Sequence, residues 1–549
     1  MASLRFLLWL VLSSLFAKSI EGQVVWTSFP KNFQFLPRNL STNQAILKIA
    51  GDNQYPISLT LLRYQDDLIQ KSWQFPASSA FQLQDTLGAS LNYYHYRLYL
   101  GPNLILQADS LVVGDVFLFN GQSNAEAKAV DSLALDCLSP FIRTYGNGSE
   151  LSSPDEWFVA HDRGNRFQDG FIGQLALSFG SQMIHHYQRP ICILNGAEGG
   201  EEIEHFLPGA QNVAHANNFF RLQKRLEQSG LLQNIRSLIW FQGEQDALNG
   251  LSGNTYSDYL NQLFQAYQEY YPALRKMYLF QIRGGCNTPL HQIAAIQQAQ
   301  LDFDLQQDSV FLISSNYTEH DGCHFYLSAY RELARRLKRT LCYQEGLDLN
   351  TNRKQDLLPD QILLMGDSSL LLSFPDDAGI EFASDFFGED FYIPWYQWKP
   401  IQVSVQQNQC LLSFGRKITQ ARSLSYTGHP GNALPALFDS SGNTLLCFHE
   451  MPIKYALPFN EQASIDRNVF KFWKVISPVE DVLRISYSGN QEYFQLQMRV
   501  YNSQGMQVKK ITQTLQANME ILVSDLAPGI YTLRIYTQPN IIDLKFLKQ

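Results

Sequence analysis

The sequence predicts an α/β core built on a doubly wound parallel sheet, flanked by β-sandwich-like segments. Two textures predict this. Between residues 113 and 345, five short and nearly continuous apolar runs alternate with stretches of helical period. Buried strands alternating with helices imply a parallel sheet covered on both faces. Outside that span the helical period is absent, and short alternating runs broken by Asn, Gly and Pro take its place. Length agrees, because 549 residues exceed the roughly 250–300 at which a single core stops growing.

The elements follow in order. Residues 1–22 read as a signal peptide: Arg5 supplies the charge, Phe6 to Ala17 an apolar stretch too short to span a bilayer, and Ala17-Lys18-Ser19 small residues for cleavage, with a second option up to Gln23. Residues 23–112 carry Ala45 to Ile49, Ser58 to Tyr64 and Tyr94 to Leu100, an antiparallel β-domain. In 113–345 the strands are Val116–Phe119, Ile191–Leu194, Leu238–Phe241, Met277–Phe280 and Val310–Ile313. The helices are Phe171 to Tyr187, Asn217 to Gln228, Tyr256 to Tyr270, His291 to Phe303 and Tyr326 to Leu341. Residues 346–465 are a β-rich extension with turn signals at Asp376-Asp377 and Ser441-Gly442-Asn443. Residues 470–549 form a last β-module with turns at Asn502-Ser503-Gln504-Gly505 and Ala527-Pro528-Gly529.

Composition narrows the function. Hydrophobic residues at 45% and charged residues at 17% describe a folded chain. With 42 basic and 51 acidic residues the net charge is −9, which gives no attraction to a phosphate backbone and argues against nucleic acid. No later segment is apolar and long enough to cross a membrane. Aromatics reach 13%. Such rings serve sugar binding as stacking platforms, but aromatic-rich β-domains give the same count, and that plainer reading is preferred. The seven cysteines (137, 192, 286, 323, 342, 410 and 447) form no CxxC pair and allow no disulfide to be assigned.

In parallel sheets the ligand crevice lies beyond the carboxyl ends of the strands. The first strand ends in Asn120-Gly121-Gln122-Ser123-Asn124. The second ends in Asn195-Gly196-Ala197-Glu198-Gly199-Gly200, and the third in Gln242-Gly243-Glu244-Gln245-Asp246. Downstream of the fifth comes His320-Asp321-Gly322-Cys323-His324-Phe325. Acyl transfer needs a hydroxyl nucleophile, a base, an acid that orients the base, and donors for the oxyanion. Ser123 fits the first role, His324 the second and Asp321, three residues before it, the third. Gly199 or Gly200 can offer a bare backbone N–H, and Gln242 a side-chain amide. Each piece alone is weak, since a Ser after a strand is ordinarily a helix cap. Their force lies in joint occurrence at successive strand ends.

Gly121-Gln122-Ser123-Asn124, Gly199-Gly200-x-x-Ile203-Glu204, Trp240-Phe241-Gln242-Gly243-Glu244-x-Asp246 and Asp321-x-x-His324-Phe325 together resemble the SGNH hydrolases, a flavodoxin-like α/β superfamily. Within it they are most similar to sialate O-acetylesterases and related carbohydrate acetylesterases. Gly114-Asp115-Val116-Phe117 and Asn432-Ala433-Leu434-Pro435-Ala436 resemble that family's flanking runs. The resemblance implies a serine esterase that removes acetyl from carbohydrate without a metal or organic cofactor. It assigns Ser123, His324 and Asp321 to catalysis and the Ser123 N–H, a Gly199/Gly200 N–H and Gln242 to the oxyanion hole. Acetylated sialic acid or xylan is the implied substrate. For sialate, Arg163, Arg166 and Arg283 are candidates to meet the carboxylate. Ala125, Glu201 and Phe206 depart from the family pattern, and the last two bear on the acyl-binding mouth. Val500 to Gly505, Leu526 to Tyr531 and Leu544 to Lys548 resemble the C-terminal sorting domain of the type IX secretion system. That implies passage through the periplasm to the outside or the outer cell surface, with the secretion machinery as partner.

Four other readings of these residues are weaker, and the last of them stays as the main alternative to an esterase. His320, Asp321, Cys323 and His324 as metal ligands lack a second cluster. Cys323 as nucleophile stands beside its own base. Glu244 and Asp246 as a glycosidase pair lie too close together in sequence to flank a sugar bond. A non-catalytic carbohydrate binder has no need of an intact Ser, Asp and His.

Overall fold

The computed structural model describes residues 23–148, 154–209, 217–346, 356–375, 380–382, 390–429, 431, 437–439, 442–455, 473–475, 479–487, 495–503, 506–514, 518–536 and 541–549. The signal-peptide stretch, the Asp376-Asp377 turn signal, the Asn432 to Ala436 run, Ser441, and Gln504-Gly505 lie outside the described residues. The chain forms two compact units, one ending at Lys454 and one from Tyr455 to Gln549.

The first unit is a mixed α/β structure rich in sheet. Its centre is a 19-residue strand, β1 (Asn103–Gly121). The amino half of β1 is mostly exposed or half-buried and pairs antiparallel with Tyr94–Leu100. Its carboxyl half is largely buried on both faces and pairs parallel with three other strands, the short Phe35–Pro37 among them. The change of texture near residue 112 is therefore a change of surroundings within one strand, not a gap between separate elements.

The remaining strands of the parallel region are β2 (Ile142–Tyr145), β3 (Trp157–Val159), β4 (Ile191–Asn195), β5 (Ser237–Phe241), β6 (Lys276–Gln281) and β7 (Val310–Ser314). Their order across the sheet is β3-β2-β4-β1-β5-β6-β7, parallel except for the edge strand β3. Strands β2 and β3 are additions to the sequence reading. β2 escapes an apolar-run search because Arg143 stands fully buried in its middle. That guanidinium donates to the Ser110 carbonyl at 3.1 Å and lies over the Phe33 ring.

The helices are α1 (Ser123–Glu126), α2 (Gln174–Tyr187), α3 (Asn218–Gln228), α4 (Glu244–Asn249), α5 (Gly253–Tyr270), α6 (Leu290–Gln306) and α7 (Leu327–Gln344). α2 packs beside α7, and α5 beside α6. Caps fix their starts: the Asn217 side chain accepts the Phe219 N–H at 2.8 Å, and Ser252 accepts that of Thr255 at 3.1 Å.

Two β-regions complete this unit. Val24–Ser28, Gln44–Asn53 and Ser79–Gly88 form a three-stranded sheet, with Leu47, Ile49, Leu59, Leu61, Tyr96 and Leu98 in the core beneath it. Residues 356–454 contribute a seven-stranded sheet, and its core is continuous with that of the α/β region. In the second unit, antiparallel sheets of three and four strands cover a core that includes Leu483, Ile485, Met498, Val500 and Leu533.

Candidate active site

Every residue singled out at a strand end stands at the carboxyl edge of the parallel sheet. The first turn leaves β1 at Gly121. Its φ is +134°, and an added Cβ would stand 2.1 Å from the Phe241 carbonyl oxygen, so only glycine lets β1 and β5 end side by side. The Gln122 side chain, buried, accepts the N–H groups of Gly243 and Gln245 at 3.1 Å each and ties this turn to the start of α4. Ser123 opens α1 and is half-buried, accessible where its neighbours are not. Among the described residues no acceptor takes its N–H.

Asn124 joins the nucleophile turn to the histidine loop. Its Nδ2 donates to Glu244 Oε1 at 2.7 Å and to the Cys323 carbonyl at 3.3 Å, and its Oδ1 accepts from the Tyr330 hydroxyl at 3.3 Å. This sets the residue after Ser123 against the residue before His324. Within the loop, Asp321 Oδ1 accepts the N–H groups of Cys323 and His324 at 2.8 and 2.7 Å, while Oδ2 lies 3.7 Å from His324 Nδ1. Partial burial raises the Asp321 carboxyl. The two N–H groups and the imidazole outweigh that and hold it below the usual carboxylate range.

The loop is braced from two further sides. A disulfide joins Cys286 to Cys323, and the Cys286 N–H donates to the Gly322 carbonyl at 2.9 Å. His320 accepts the Gly322 N–H at Nδ1 (3.0 Å), which leaves Nε2 to donate to the Gly431 carbonyl at 3.1 Å. Burial and the nearby Arg283 push His320 down to about 4, so it is neutral near pH 7. Cys323 is thus a half-cystine, neither nucleophile nor thiolate ligand.

The expected oxyanion donors are placed less simply. Gly199 lies on Ser123, with an added Cβ 3.4 Å from the Ser123 Cβ, but its N–H points to Glu126 Oε2 at 3.3 Å. Gly200, at φ +80°, faces open space. Gln242 is fully buried. Its amide hydrogens go to the Glu201 carbonyl at 3.2 Å and, in a very short contact, to the Asp246 carboxylate. Asp246 also accepts the Ile203 N–H, and burial pushes it up to about 6.

The carboxylates and guanidinium groups nearby are largely engaged with one another. Glu198, buried, meets Arg221, Arg166 at 3.2 Å, His205 at 3.3 Å and the Asn218 amide at 2.7 Å. Glu201 pairs with His205 at 3.4 Å, and Phe206 is buried edge-on against Trp240 rather than lining a mouth. Glu198, Glu201 and His205 bring three ligand atoms within 4.8 Å of one another, but the two arginines already neutralise Glu198. Arg283 is buried over the Phe325 ring, and Glu244 is buried beside it, its carboxyl raised by loss of water. Glu244 and Asp246 therefore face inward, and neither is placed to flank a sugar bond. Arg163 is exposed and lines a groove walled by Leu138, Pro140 and Val159.

Residues 113–343 match the family model described as carbohydrate esterase, sialic acid-specific acetylesterase. This segment is a carbohydrate esterase domain. The chain that carries it is a carboxylic ester hydrolase. Residues 477–549 match the secretion system C-terminal sorting domain, which marks the esterase as secreted or cell-surface. Among the described residues no helix is long and apolar enough to cross a membrane. The fold resembles that of a carbohydrate acetylesterase from Xanthomonas citri (15% identity, TM-score 0.52, 76% of this chain and 97% of that one). Weaker likenesses carry no argument: a protein from Arabidopsis thaliana (18%, TM-score 0.35, 43% and 99%) and a family two carbohydrate esterase from Clostridium thermocellum in complex with cellohexaose (11%, TM-score 0.30, 59% and 100%). No curated protein matches the chain.

Proposed function

We propose that the esterase removes O-acetyl groups from a glycan by a two-step serine mechanism. The observation that carries this reading is the junction made by Asn124, which sets the Ser123 turn against the Asp321–His324 loop at the sheet edge. Ser123 Oγ attacks the acetyl carbonyl carbon, and its proton passes to His324 Nε2, the ring nitrogen turned away from Asp321. The tetrahedral oxyanion collapses, the acyl–oxygen bond breaks, and the departing sugar oxygen takes the proton from Nε2. Water then attacks the acetyl-enzyme with Nε2 as base, which releases acetate and restores Ser123. Asp321 orients the ring and stabilises the imidazolium. For the oxyanion, the Ser123 N–H is the donor best supported. The Gly199 N–H would first leave Glu126, and Gln242 would give up Glu201 or Asp246. No step uses a cofactor.

The family description supports sialate as the sugar. A second reading, acetylated xylan, is favoured by the guanidinium groups. Arg166 is paired with Glu198 and Arg283 is buried, which leaves Arg163 alone of the three candidates for a substrate carboxylate. Acetate release from O-acetyl sialic acid and from acetylated xylan separates the two. Ser123→Ala is expected to lose about 10⁴-fold or more in kcat on either, and a variant at wild-type rate overturns the nucleophile assignment.

The strand order β4-β1-β5-β6-β7 and the helix pairs α2 with α7 and α5 with α6 support a doubly wound, flavodoxin-like frame. The flanking β-regions are read as sandwich-like domains, and the sorting domain supports the type IX machinery as partner.

A further inference from the structure

An aromatic hairpin in the segment after α7 has no part in the chemistry above. After the strand Phe391–Tyr392, the chain turns through residues 394–397 and closes with the Ile393 N–H donating to the Trp398 carbonyl at 2.9 Å. Ile393 and Pro394 are buried as the foot of this turn. Its tip presents Trp395, 88% exposed, at a φ of +69°. A tryptophan in the left-handed region is unfavourable, and full exposure of the indole is a second cost. Strain of this kind, maintained in a fold, points to use.

The rings beside it are ordered. Tyr396 stacks on Trp398 with centroids 4.2 Å apart and planes 19° off parallel, and the Arg416 guanidinium lies over the Trp398 ring at 5.2 Å. The Tyr396 hydroxyl donates to Gln420 at 3.3 Å. This stacking orders the Tyr396 ring, which is 41% exposed and adjacent to Trp395 in the chain. Gln397 and Lys399, in the same stretch of chain, are exposed and polar, as is Arg416.

The hairpin starts from the loops that hold the catalytic histidine. Asp390, just before it, lies 3.0 Å from His429 Nδ1, and two residues on the Gly431 carbonyl takes the His320 proton. Trp395 is five residues from Asp390, a reach of at most about 18 Å.

We propose that Trp395 and Tyr396 form a glycan-binding platform that holds a sugar chain while Ser123 removes acetyl groups from it. The inference rests on the reading of the substrate as carbohydrate. Exposed rings with polar neighbours in the chain match the C–H faces and hydroxyl edges of pyranose units. Three rings cover about 150–250 Å² each at most, short of the roughly 800 Å² per partner that a stable protein interface takes. A protein partner or a second copy is therefore the poorer fit.

The test uses the full chain with Trp395→Ala, Tyr396→Ala and the pair. Exposure of Trp395 makes loss of folding unexpected, and circular dichroism and melting temperature check it. Three substrates are compared: 4-nitrophenyl acetate, acetylated xylan and an O-acetylated sialoglycoprotein. The expected result is unchanged kcat/KM on the small ester, with KM on the acetylated polymer that the enzyme hydrolyses raised about tenfold per ring at constant kcat. In a Ser123→Ala background, retardation in a gel containing that polymer is lost with Trp395. Wild-type KM and retardation in the double variant overturn the platform while leaving the esterase reading intact. Variants that change only sedimentation, from dimer to monomer, overturn it in favour of self-association. Activity on 4-nitrophenyl acetate but on neither polymer overturns the carbohydrate reading, and the platform with it.

Discussion

Gln242 separates two kinds of contribution at the level of one side chain. An oxyanion donor lost from a rigid site lowers turnover by about 10²–10³ and leaves the fold alone. An amide whose hydrogens hold a buried carboxylate and a carbonyl supports the fold first. Gln242 has the second arrangement, with its Oε1 also accepting from the Tyr256 hydroxyl at 3.2 Å. Gln242→Ala is therefore expected to cost about 2–4 kcal/mol in urea unfolding, by cavity formation and loss of a donor to Asp246. A kcat loss at unchanged stability would instead show that the amide turns to the oxyanion during turnover. His320 gives a pH signature of its own. Its folded value of about 4 lies below the ordinary 6.5. Between those values the unfolded chain binds a proton that the folded chain refuses, so stability rises with pH across that window and this contribution is level above it. Arg283, Asp321 and His429 face the ring and hold it neutral or oppose that effect. Melting temperatures from pH 7 to 4 are expected to fall more steeply for wild type than for His320→Gln, which keeps a donor for Gly431 and does not titrate. Parallel curves would remove His320 from the acid response.

At the scale of elements, the turns carry the function and the strands make it legible. Five apolar runs located β1, β4, β5, β6 and β7, because strands buried on both faces have no polar positions to disguise them. The polar residues directly after them could therefore be read as one edge. Three features stayed hidden for physical reasons. β2 is broken in sequence by buried Arg143. Asn124 bridges turns 199 residues apart. The Cys286–Cys323 pair, with Cα atoms 4.4 Å apart, depends on how two loops meet and not on any spacing. That disulfide closes a 37-residue separation across the histidine loop, where a crosslink is worth about 2–4 kcal/mol. Reduction is expected to lower the melting temperature of the esterase unit and to cut kcat, since the loop then hangs on hydrogen bonds alone. Cys286→Ser should reproduce both effects without reductant. Full activity after complete reduction, verified by thiol counting, would show that the hydrogen bonds suffice.

Over the whole molecule, the segment after α7 belongs to the same compact unit as the esterase domain, although the family match ends at residue 343. Its apolar residues Leu357, Ile362, Leu424 and Cys447 share one core with the parallel sheet. Gln281, at the end of β6, donates to the Cys447 carbonyl at 2.9 Å and accepts the Cys447 N–H at 2.7 Å. Buried Arg336 of α7 donates to the carbonyls of Ser314 and Asn316 and to Thr444 Oγ1. Asp356 accepts N–H groups from Ser314 and Thr444. Removal of residues 346–454 would strip the partners from these groups at about 1–3 kcal/mol each, besides exposing the shared core. It would also take away Gly431, the acceptor that fixes His320. A chain ending at residue 345 is therefore expected to aggregate, although it contains every proposed catalytic residue. One ending at Lys454, where the first compact unit ends, should keep its melting transition and its rate on 4-nitrophenyl acetate. Size-exclusion chromatography, calorimetry and the small-ester assay on the two truncations decide the matter. A soluble, active chain of 345 residues would mean that the extension merely sits on a core already complete without it.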